Sequence, residues 1–238
     1  MKPLIGKDTT IITCMNGIPH WYFHKLDNKY ANYKIKCLDP NLLIDTILPP
    51  DNIVGSVVYP ACEIVKPGTI KHIAGNRFSL GEPEGSESDR LKFISDILKR
   101  AGFRAPIQKN IRDEIWLKLI GNLSFNPISA LTGATLEQIC DDQGTEAIVR
   151  AMMTEAKIIA EELGAKINMS IEKRIEGARK VGAHKTSMLQ DIEAGKPIEI
   201  DSIIIAVKEL GELTCSPTPY IDTILNLTLQ KAKLIGCL

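Results

Sequence analysis

The sequence lacks the features that mark several large classes of protein. Its 29 acidic and 29 basic side chains leave no net charge, and there is no long basic run. Because nucleic-acid binding depends on neutralising phosphates, we expect no nucleic-acid partner. No apolar run reaches the roughly eighteen residues that span a bilayer, and the segment MKPLIGKDTT has no signal-peptide core. These absences predict a cytoplasmic globular protein with no membrane partner.

The cysteines also lack any pattern that indicates metal or disulfide chemistry. They form no CxxC pair, and no histidine accompanies them at metal-ligand spacing. In an intracellular protein such thiols stay reduced, and isolated cysteines usually pack in the interior. We therefore expect no metal site and six reduced, mostly buried thiols: Cys14, Cys37, Cys62, Cys140, Cys215 and Cys237.

Short runs of β-branched and apolar residues, separated by turn signals, are present up to residue 109. TTIITC predicts a buried strand that ends at the turn Asn16-Gly17, and we expect a short helix at 20–25. NIVGSVVYPACEIV and GTIKHIAG predict further strands, whereas RFSLGEPEG predicts a loop. The segment between Ser88 and Gly102 has apolar residues at helical spacing. The mixture predicts an α/β portion.

After residue 109 the pattern is helical almost throughout. Amphipathic periodicity predicts helices at 145–163, 170–181, 199–214 and 218–233. Before them, Asn110 is placed to cap a helix that contains Pro127, where we expect a kink or a break. The chain is therefore predicted to have an α/β domain at 1–109 and an all-α domain at 110–238.

Three polar side chains interrupt the apolar segment IRDEIWLKLIGNLSFNPISA at intervals of four residues: Lys118, Asn122 and Asn126. Four residues advance about 400° around a helix, so the three lie along one face. Because a buried charge or amide without partners is costly, this stripe must face water, a partner network or a ligand. On the local sequence alone, a lysine that extends to solvent and a helix–helix hydrogen bond are the competing interpretations.

A second polar cluster lies in HKTSMLQDIEAGKPIEID, at residues 184–201. Its members of interest are His184, Lys185, Thr186, Ser187 and Glu199. Hydroxyl and N–H groups at the start of a helix can hold a carboxylate or a phosphate. From spacing alone, the simpler interpretation is that Thr186 or Ser187 caps a helix that begins at Met188.

Four strings, in this order, resemble ketopantoate reductase (2-dehydropantoate 2-reductase): MNGI, NIRDEIWLKLIGNLSFNPISAL, HKTSMLQD and KPIEID. The resemblance implies a Rossmann-like dinucleotide-binding domain followed by a helical domain similar to that of 6-phosphogluconate dehydrogenase. It also implies reduction of ketopantoate to pantoate by NADPH, in pantothenate biosynthesis, at an active site between the domains. A homodimer through the helical domain is compatible with it.

One element of the family has no counterpart in this sequence. Its members begin with a strand and a GxGxxG turn that approaches the cofactor pyrophosphate, and neither is found here. Residues 1–109 resemble the second half of that domain, so about 70 residues, or about two βαβ units, would precede Met1. A half sheet would expose a strand edge, and we therefore expect a longer natural chain. We also expect the 238-residue chain not to hold NADPH by itself.

The resemblance implies a role for each matching residue. Lys118 is similar to the general acid that protonates the C2 oxygen of ketopantoate as hydride arrives. A further family asparagine falls near Leu136 and is left unassigned. The implied substrate-binding residues are Asn16, Lys118, Asn122, Asn126, His184, Lys185, Thr186 and Ser187. The implied cofactor-binding residues are Asn16, Ala61 and Glu199.

Two other functions remain compatible with the sequence. A reductase of another 2-oxo acid would keep Lys118 and the cofactor half but would have a different pocket. Alternatively, the helical domain is a non-catalytic interaction module in a truncated chain that never binds nucleotide. A panel of 2-oxo acids separates the first alternative from ketopantoate reduction, and a titration with NADPH separates the second.

Overall fold

The computed structural model describes residues 2–238, which divide into two compact units. The first unit comprises the residues up to Lys34 together with Asp39–Ile115, and the second comprises Ile35–Leu38 and Trp116–Leu238. Strands are confined to the first unit, and the second is helical, which confirms the predicted fold class. The predicted domain boundary after residue 109 remains a prediction. Among the described residues, no helix has the length and apolar character needed to cross a membrane.

Two small sheets form the strand part of the first unit. Their strands are β1 (Ile11–Thr13), β2 (Ile53–Val58), β3 (Ala61–Lys66), β4 (Thr69–Ala74) and β5 (Phe78–Gly81). One sheet has the order β1-β2-β5, with β1 parallel and β5 antiparallel to β2, and β3 and β4 form a separate antiparallel hairpin. The predicted loop at RFSLGEPEG is therefore partly wrong, because its first residues complete the ladder to β2. The first predicted strand is confirmed, but it is only partly buried, with Ile12 exposed.

Helices in the first unit are few. They are α1 (Ile44–Ile47) and α2 (Asp89–Arg100), with 3-10 turns at Lys2–Leu4 and Pro50–Asn52. The hydroxyl of Ser88 accepts the Leu91 N–H at 3.2 Å, and the chain leaves the helix through Gly102 at φ +90°, so this prediction is confirmed. The core beneath α2 consists of Val54, Leu80, Leu91 and Ala105.

The predicted helix at 20–25 is wrong. The segment is a series of turns, in which Tyr22 N–H donates to the Pro19 carbonyl at 3.0 Å and His24 N–H to the Trp21 carbonyl at 2.8 Å. Three consecutive aromatic residues, 21–23, are all buried, and a helix with one apolar face does not allow that. The Trp21 ring packs on Gly55, where a Cβ would stand 2.7 Å from it.

Arg112, on the first turn of the next helix, holds these turns in place. Its guanidinium donates to the carbonyls of Tyr22 at 2.7 Å, His24 at 2.8 Å and Pro83. The guanidinium also lies 5.5 Å from the centre of the Tyr22 ring. Burial lowers the pKa of Arg112, and these three hydrogen bonds all go to backbone carbonyl oxygens. The buried Arg112 guanidinium therefore connects two loops to the start of the next helix.

That helix is α3, Ile111–Thr132. The side-chain oxygen of Asn110 accepts the Arg112 N–H at 3.2 Å, which confirms the predicted cap. The helix continues through Pro127 for five more residues, so the predicted break is wrong. Proline removes the hydrogen bond to the Leu123 carbonyl, but residues 123–130 are all buried, and their packing outweighs that loss.

The second unit contains the remaining helices. They are α4 (Leu136–Asp141), α5 (Gln143–Glu162), α6 (Ile171–Val181), α7 (Ser187–Glu193), α8 (Ala206–Thr214) and α9 (Pro219–Ile235), with a π-helical turn at Asp201–Ile205 before α8. The four helices predicted by periodicity are confirmed, whereas α4 was not predicted. The Thr186 hydroxyl accepts the Leu189 N–H at 3.3 Å, so the capping interpretation is correct.

Two buried or half-buried charges attach α9 to its neighbours. The Glu155 carboxylate, on α5, accepts the N–H groups of Tyr220 and Ile221 at 2.9 Å each, and burial raises its pKa. At the other end, Lys231 Nζ donates to the carbonyls of residues 130–131 at 2.6 and 3.0 Å. The orphan donors of α9 and the orphan acceptors of α3 are both satisfied in this way.

A short segment from the first part of the chain belongs to the second unit. The two carboxylate oxygens of Glu209, on α8, accept the backbone N–H groups of Lys36 at 2.7 Å and Cys37 at 2.9 Å. Burial, together with the nearby carboxylate of Glu209, raises the pKa of Cys37 to about 12. The segment Ile35–Leu38 is thus attached to the helices by paired hydrogen bonds to one side chain.

All six cysteines are free thiols, but the prediction that most are buried is wrong. Only Cys140 and Cys237 are buried, Cys37 is intermediate, and the other three are exposed. The exposed ones follow a strand or helix end or lie on the solvent-exposed hairpin, so the interior was not available to them. In residues 2–238, no group of three His, Cys, Asp or Glu side chains is placed to hold a metal ion.

Candidate active site

The polar stripe lies on α3, within the second unit. Asn126 is only 5% exposed, and its Nδ2 has no hydrogen-bond partner among the described residues. Asn122 and Lys118, one and two turns earlier, are half-buried. A buried donor without an acceptor costs about 1–3 kcal/mol, so a ligand oxygen would relieve the cost. The stripe therefore combines a cation with an amide that lacks its acceptor.

Lys118 has the ionisation expected of a proton donor. Its pKa is lowered from 10.5 to about 8, chiefly by burial; the carboxylate of Glu199 opposes the shift, and the nearby Arg174 adds to it. A group with this pKa is still protonated at neutral pH but releases its proton more readily than an ordinary lysine. Such an ammonium can polarise a ketone oxygen and then protonate it.

Glu199 lies close enough to Lys118 to act on it electrostatically. It is exposed and stands two residues before the π-helical turn that leads into α8. It also acts on Asp191 of α7, whose pKa is raised chiefly by burial and then by this second carboxylate. The fold therefore brings Lys118 and Glu199 together, although 81 residues separate them in the sequence.

Arg174, on α6, is a site residue that sequence analysis missed. Its guanidinium lies against Gly121 of α3, where a Cβ would stand 2.8 Å from Cζ and from Nε. The signal was the glycine itself. Glycine inside a helix costs roughly 0.5–1 kcal/mol relative to alanine, so one between Lys118 and Asn122 indicates a close approach by another group.

Residues 184–187 have identifiable structural roles. The His184 carbonyl accepts the Leu136 N–H at 3.0 Å, and Lys185 Nζ forms an ion pair with Glu193 at 2.6 Å. Thr186 is buried as the cap of α7. Ser187 is the exposed first residue of that helix. The side chains of His184 and Ser187 are both exposed, so both are accessible to a ligand.

Asn16 and Ala61, the remaining predicted residues, belong to the first unit. Asn16 lies beyond the carboxyl end of β1, before Gly17 at φ +82°, and Ala61 lies beyond the carboxyl end of β2. Because β1 and β2 are parallel, both residues lie at the edge where α/β sheets bind ligands. No GxGxxG turn, which would approach a cofactor pyrophosphate, is present in the sequence.

Comparison with known proteins identifies the family of the chain. The family model for the C-terminal domain of ketopantoate reductase (PanE/ApbA) matches residues 110–232. A 2-dehydropantoate 2-reductase of Mesorhizobium japonicum is 49% identical over 237 residues, which are 100% of this chain and 73% of that protein. The chain belongs to the ketopantoate reductase family. Among several other relatives it spans from 52% to 71% of their length.

Solved structures show the family fold. A ketopantoate reductase candidate of Ralstonia solanacearum MolK2 matches with a TM-score of 0.95 at 40% identity, over 100% of this chain and 72% of that one. D-Mandelate dehydrogenase in complex with NADH and anilino(oxo)acetate matches with a TM-score of 0.82 at 21% identity, over 99% and 71%. Dimeric ketopantoate reductase of Staphylococcus aureus matches with a TM-score of 0.72 at 21% identity, over 97% and 71%.

Proposed function

We propose that the protein reduces 2-dehydropantoate (ketopantoate) to pantoate with NADPH as the hydride donor, as a cytoplasmic step of pantothenate biosynthesis. The observation that carries the proposal is the half-buried Lys118, whose pKa of about 8 suits proton transfer near neutral pH. Membership of the family supplies the reaction class. The preference for NADPH over NADH is part of the proposal, and the solved D-mandelate dehydrogenase complex contains NADH.

In this proposal each side chain of the stripe has a separate task. The cofactor, when bound, supplies a hydride to the C2 carbonyl carbon. Lys118 Nζ donates a hydrogen bond to the C2 oxygen and transfers its proton to that oxygen as negative charge develops there. Asn126 Nδ2 donates to a substrate oxygen, which satisfies a buried donor, and Asn122 contributes a second amide. The neutral Lys118 then regains a proton from solvent, and the charge of Glu199 favours this step.

The remaining residues bind and orient. The hydroxyl of Ser187 holds the substrate carboxylate, with residues 184–186 shaping the turn beside it. Asn16 and Ala61, at the strand ends, and Glu199 contact the cofactor. We retain the division into a cofactor domain at 1–109 and a helical substrate domain at 110–238.

Substitution of Lys118 by alanine tests the proposal. The assay follows NADPH oxidation with ketopantoate in a chimera that adds the upstream segment of the Mesorhizobium relative, because we expect the 238-residue chain not to hold NADPH by itself. Loss of the proton donor should lower kcat by about 10²–10⁴-fold while the circular dichroism spectrum is unchanged. Lys180→Ala, an exposed lysine of α6, is the matched control and should retain full activity.

Two outcomes would contradict the proposal. If Lys118→Ala keeps the kcat of the unsubstituted protein, Lys118 is not the acid. If ketopantoate is not reduced but another member of a panel of 2-oxo acids is, the reaction class stands and the substrate assignment is wrong.

The partner proposed for the helical unit is a second copy of the chain. Along α9, Tyr220, Leu227 and Leu234 are 49%, 48% and 80% exposed, and they recur at intervals of seven residues. An apolar stripe with this period is typical of helices that pack against another helix. The dimeric Staphylococcus aureus enzyme, which shares the fold, supports the same assembly.

A further inference from the structure

At Gly121 a side chain from another helix lies directly on the α3 backbone. Gly121 follows Lys118 by three residues and precedes Asn122, so it borders the stripe. The Arg174 guanidinium lies over it, with Cζ and Nε both 2.8 Å from where a Cβ would be. Any larger residue at 121 would push the guanidinium away from α3.

Arg174 also lines a small, mostly apolar crevice. The crevice is lined on the α3 side by Leu117 and Ile120 and on the other side by Ile167 and Met169. Arg174 lines this crevice together with these apolar side chains, and its charged end lies on Gly121. The guanidinium is therefore placed three residues from Lys118 along α3.

Charged groups on three elements lie near Lys118 or near Arg174. Arg174 comes from α6, Glu199 from the segment before α8, and Lys157 of α5 lines the same crevice as Arg174. Lys157 is partly neutralised by Glu161 at 3.7 Å. Arg174 and Glu199 are the two that act on Lys118, and they act in opposite directions.

We propose that Arg174 is a positioning residue for proton transfer: its guanidinium, seated on Gly121, makes the Lys118 ammonium a stronger acid. Like charges several ångströms apart, at an effective dielectric constant of about 20, repel strongly enough to favour loss of the lysine proton. Arginine suits the task because it does not titrate in this range, so it cannot take up the proton itself. Its planar group also fits flat on a glycine.

The consequence for catalysis rests on the proposed function. As Lys118 gives up its proton, the positive charge of Arg174 remains near the newly formed C2 hydroxyl. The site therefore keeps a cation at the moment when the ammonium becomes neutral. A second lysine in place of Arg174 would compete with Lys118 for the same proton.

The ionisation of Lys118 tests the inference without any requirement for turnover. The 238-residue chain, labelled with ¹³C at lysine Cε, is titrated by NMR, and the Lys118 signal is assigned by its loss in Lys118→Arg. Arg174→Met removes the charge but keeps an unbranched stem, and it should raise the Lys118 midpoint by on the order of one pH unit. Gly121→Ala keeps the charge but displaces it, and it should move the midpoint in the same direction by less.

Matched controls make the result specific. Lys180→Met removes one positive charge from the exposed face of α6 and should leave the midpoint unchanged. An unchanged Lys118 midpoint in both Arg174→Met and Gly121→Ala would overturn the inference. If Arg174→Met does not fold, Gly121→Ala alone decides, because the nearest atoms that its Cβ would displace belong to the end of the Arg174 side chain and not to the backbone.

Kinetics separate this inference from the proposed function. In the form of the protein that reduces ketopantoate, Arg174→Met should move the alkaline limb of kcat to higher pH, whereas a merely structural role would lower kcat without moving the limb. If Lys118→Ala has no effect on turnover, the proposed function fails and the NMR result stands. If turnover depends on Lys118 but neither the limb nor the midpoint moves, the role of Arg174 is wrong.

Discussion

The buried charge of Lys118 should lower the stability of the folded protein. Its pKa falls from 10.5 to about 8 because its charged form is poorly solvated in the folded state. At about 1.4 kcal/mol per pKa unit, the folded state is disfavoured by up to about 3 kcal/mol wherever the lysine is protonated. Lys118→Met keeps the length and the apolar stem and removes the charge. We expect the free energy of unfolding at pH 7 to rise by about 1–3 kcal/mol, while reductase activity is lost.

The pH dependence of this gain has a definite sign. Between about pH 8 and 10.5 the unfolded chain still binds the Lys118 proton, but the folded chain does not. Stability contributed by this residue therefore increases as the pH rises through that window, and the penalty is complete only below pH 8. The advantage of Lys118→Met should be constant from pH 6 to 7.5, should decrease from about pH 8 upwards, and should be nearly absent near pH 10.5.

Urea denaturation of both proteins at a series of pH values measures the difference, and other titrating groups cancel in the comparison. Lys180→Met is the control, since this lysine is exposed and its substitution should leave stability within about 0.5 kcal/mol. The reasoning is refuted if Lys118→Met is equally stable or less stable at pH 7. It is refuted also if the gain persists undiminished at alkaline pH.

Two further predictions concern the other charged and apolar features. Arg112→Met removes the donors to three carbonyls and should lower the free energy of unfolding, measured in urea, by about 3 kcal/mol. Arg112→Lys should restore only part of this stability, because an ammonium lacks the planar fork of a guanidinium. A loss below about 1 kcal/mol in Arg112→Met would contradict this role. Leu227→Glu should convert a dimer to a monomer in sedimentation experiments without changing the unfolding midpoint, with Asn226→Glu as the exposed control. A wild-type chain that sediments as a monomer would rule out the α9 interface.

Much of the helical unit could be predicted because its helices are specified by residues that are close together in the sequence. The helix α5 was visible from apolar residues at helical spacing and from Gly164, which has φ +90° where the helix ends. The polar stripe was visible for the same reason, since its three members lie one turn apart on a single helix. Caps such as Ser88 depend on residues within a few positions of each other.

Elements that depend on distant partners were missed. Phe78–Gly81 reads as a loop because its strand character comes from pairing with β2, and Gly81 is needed there because a Cβ would meet Ile111 at 2.9 Å. The aromatic turns at 21–23 depend in the same way on Arg112, which lies far along the chain. Arg174 escaped notice because nothing within α6 distinguishes it from the other cations of that helix. The spacing of residue types in a sequence describes a single helix or strand, whereas each of these contacts joins two elements that are far apart in the chain.

The bond from Glu209 to the segment Ile35–Leu38 bears on how the helical unit can be produced by itself. A piece that begins at residue 110, where the family model begins, would leave both carboxylate oxygens of Glu209 without the N–H groups of Lys36 and Cys37. The surface of α8 beneath the segment would also become exposed to solvent. The helical unit is therefore made of two separate stretches of the sequence. Its smallest self-contained form is a permuted or co-expressed protein that supplies those four residues as well.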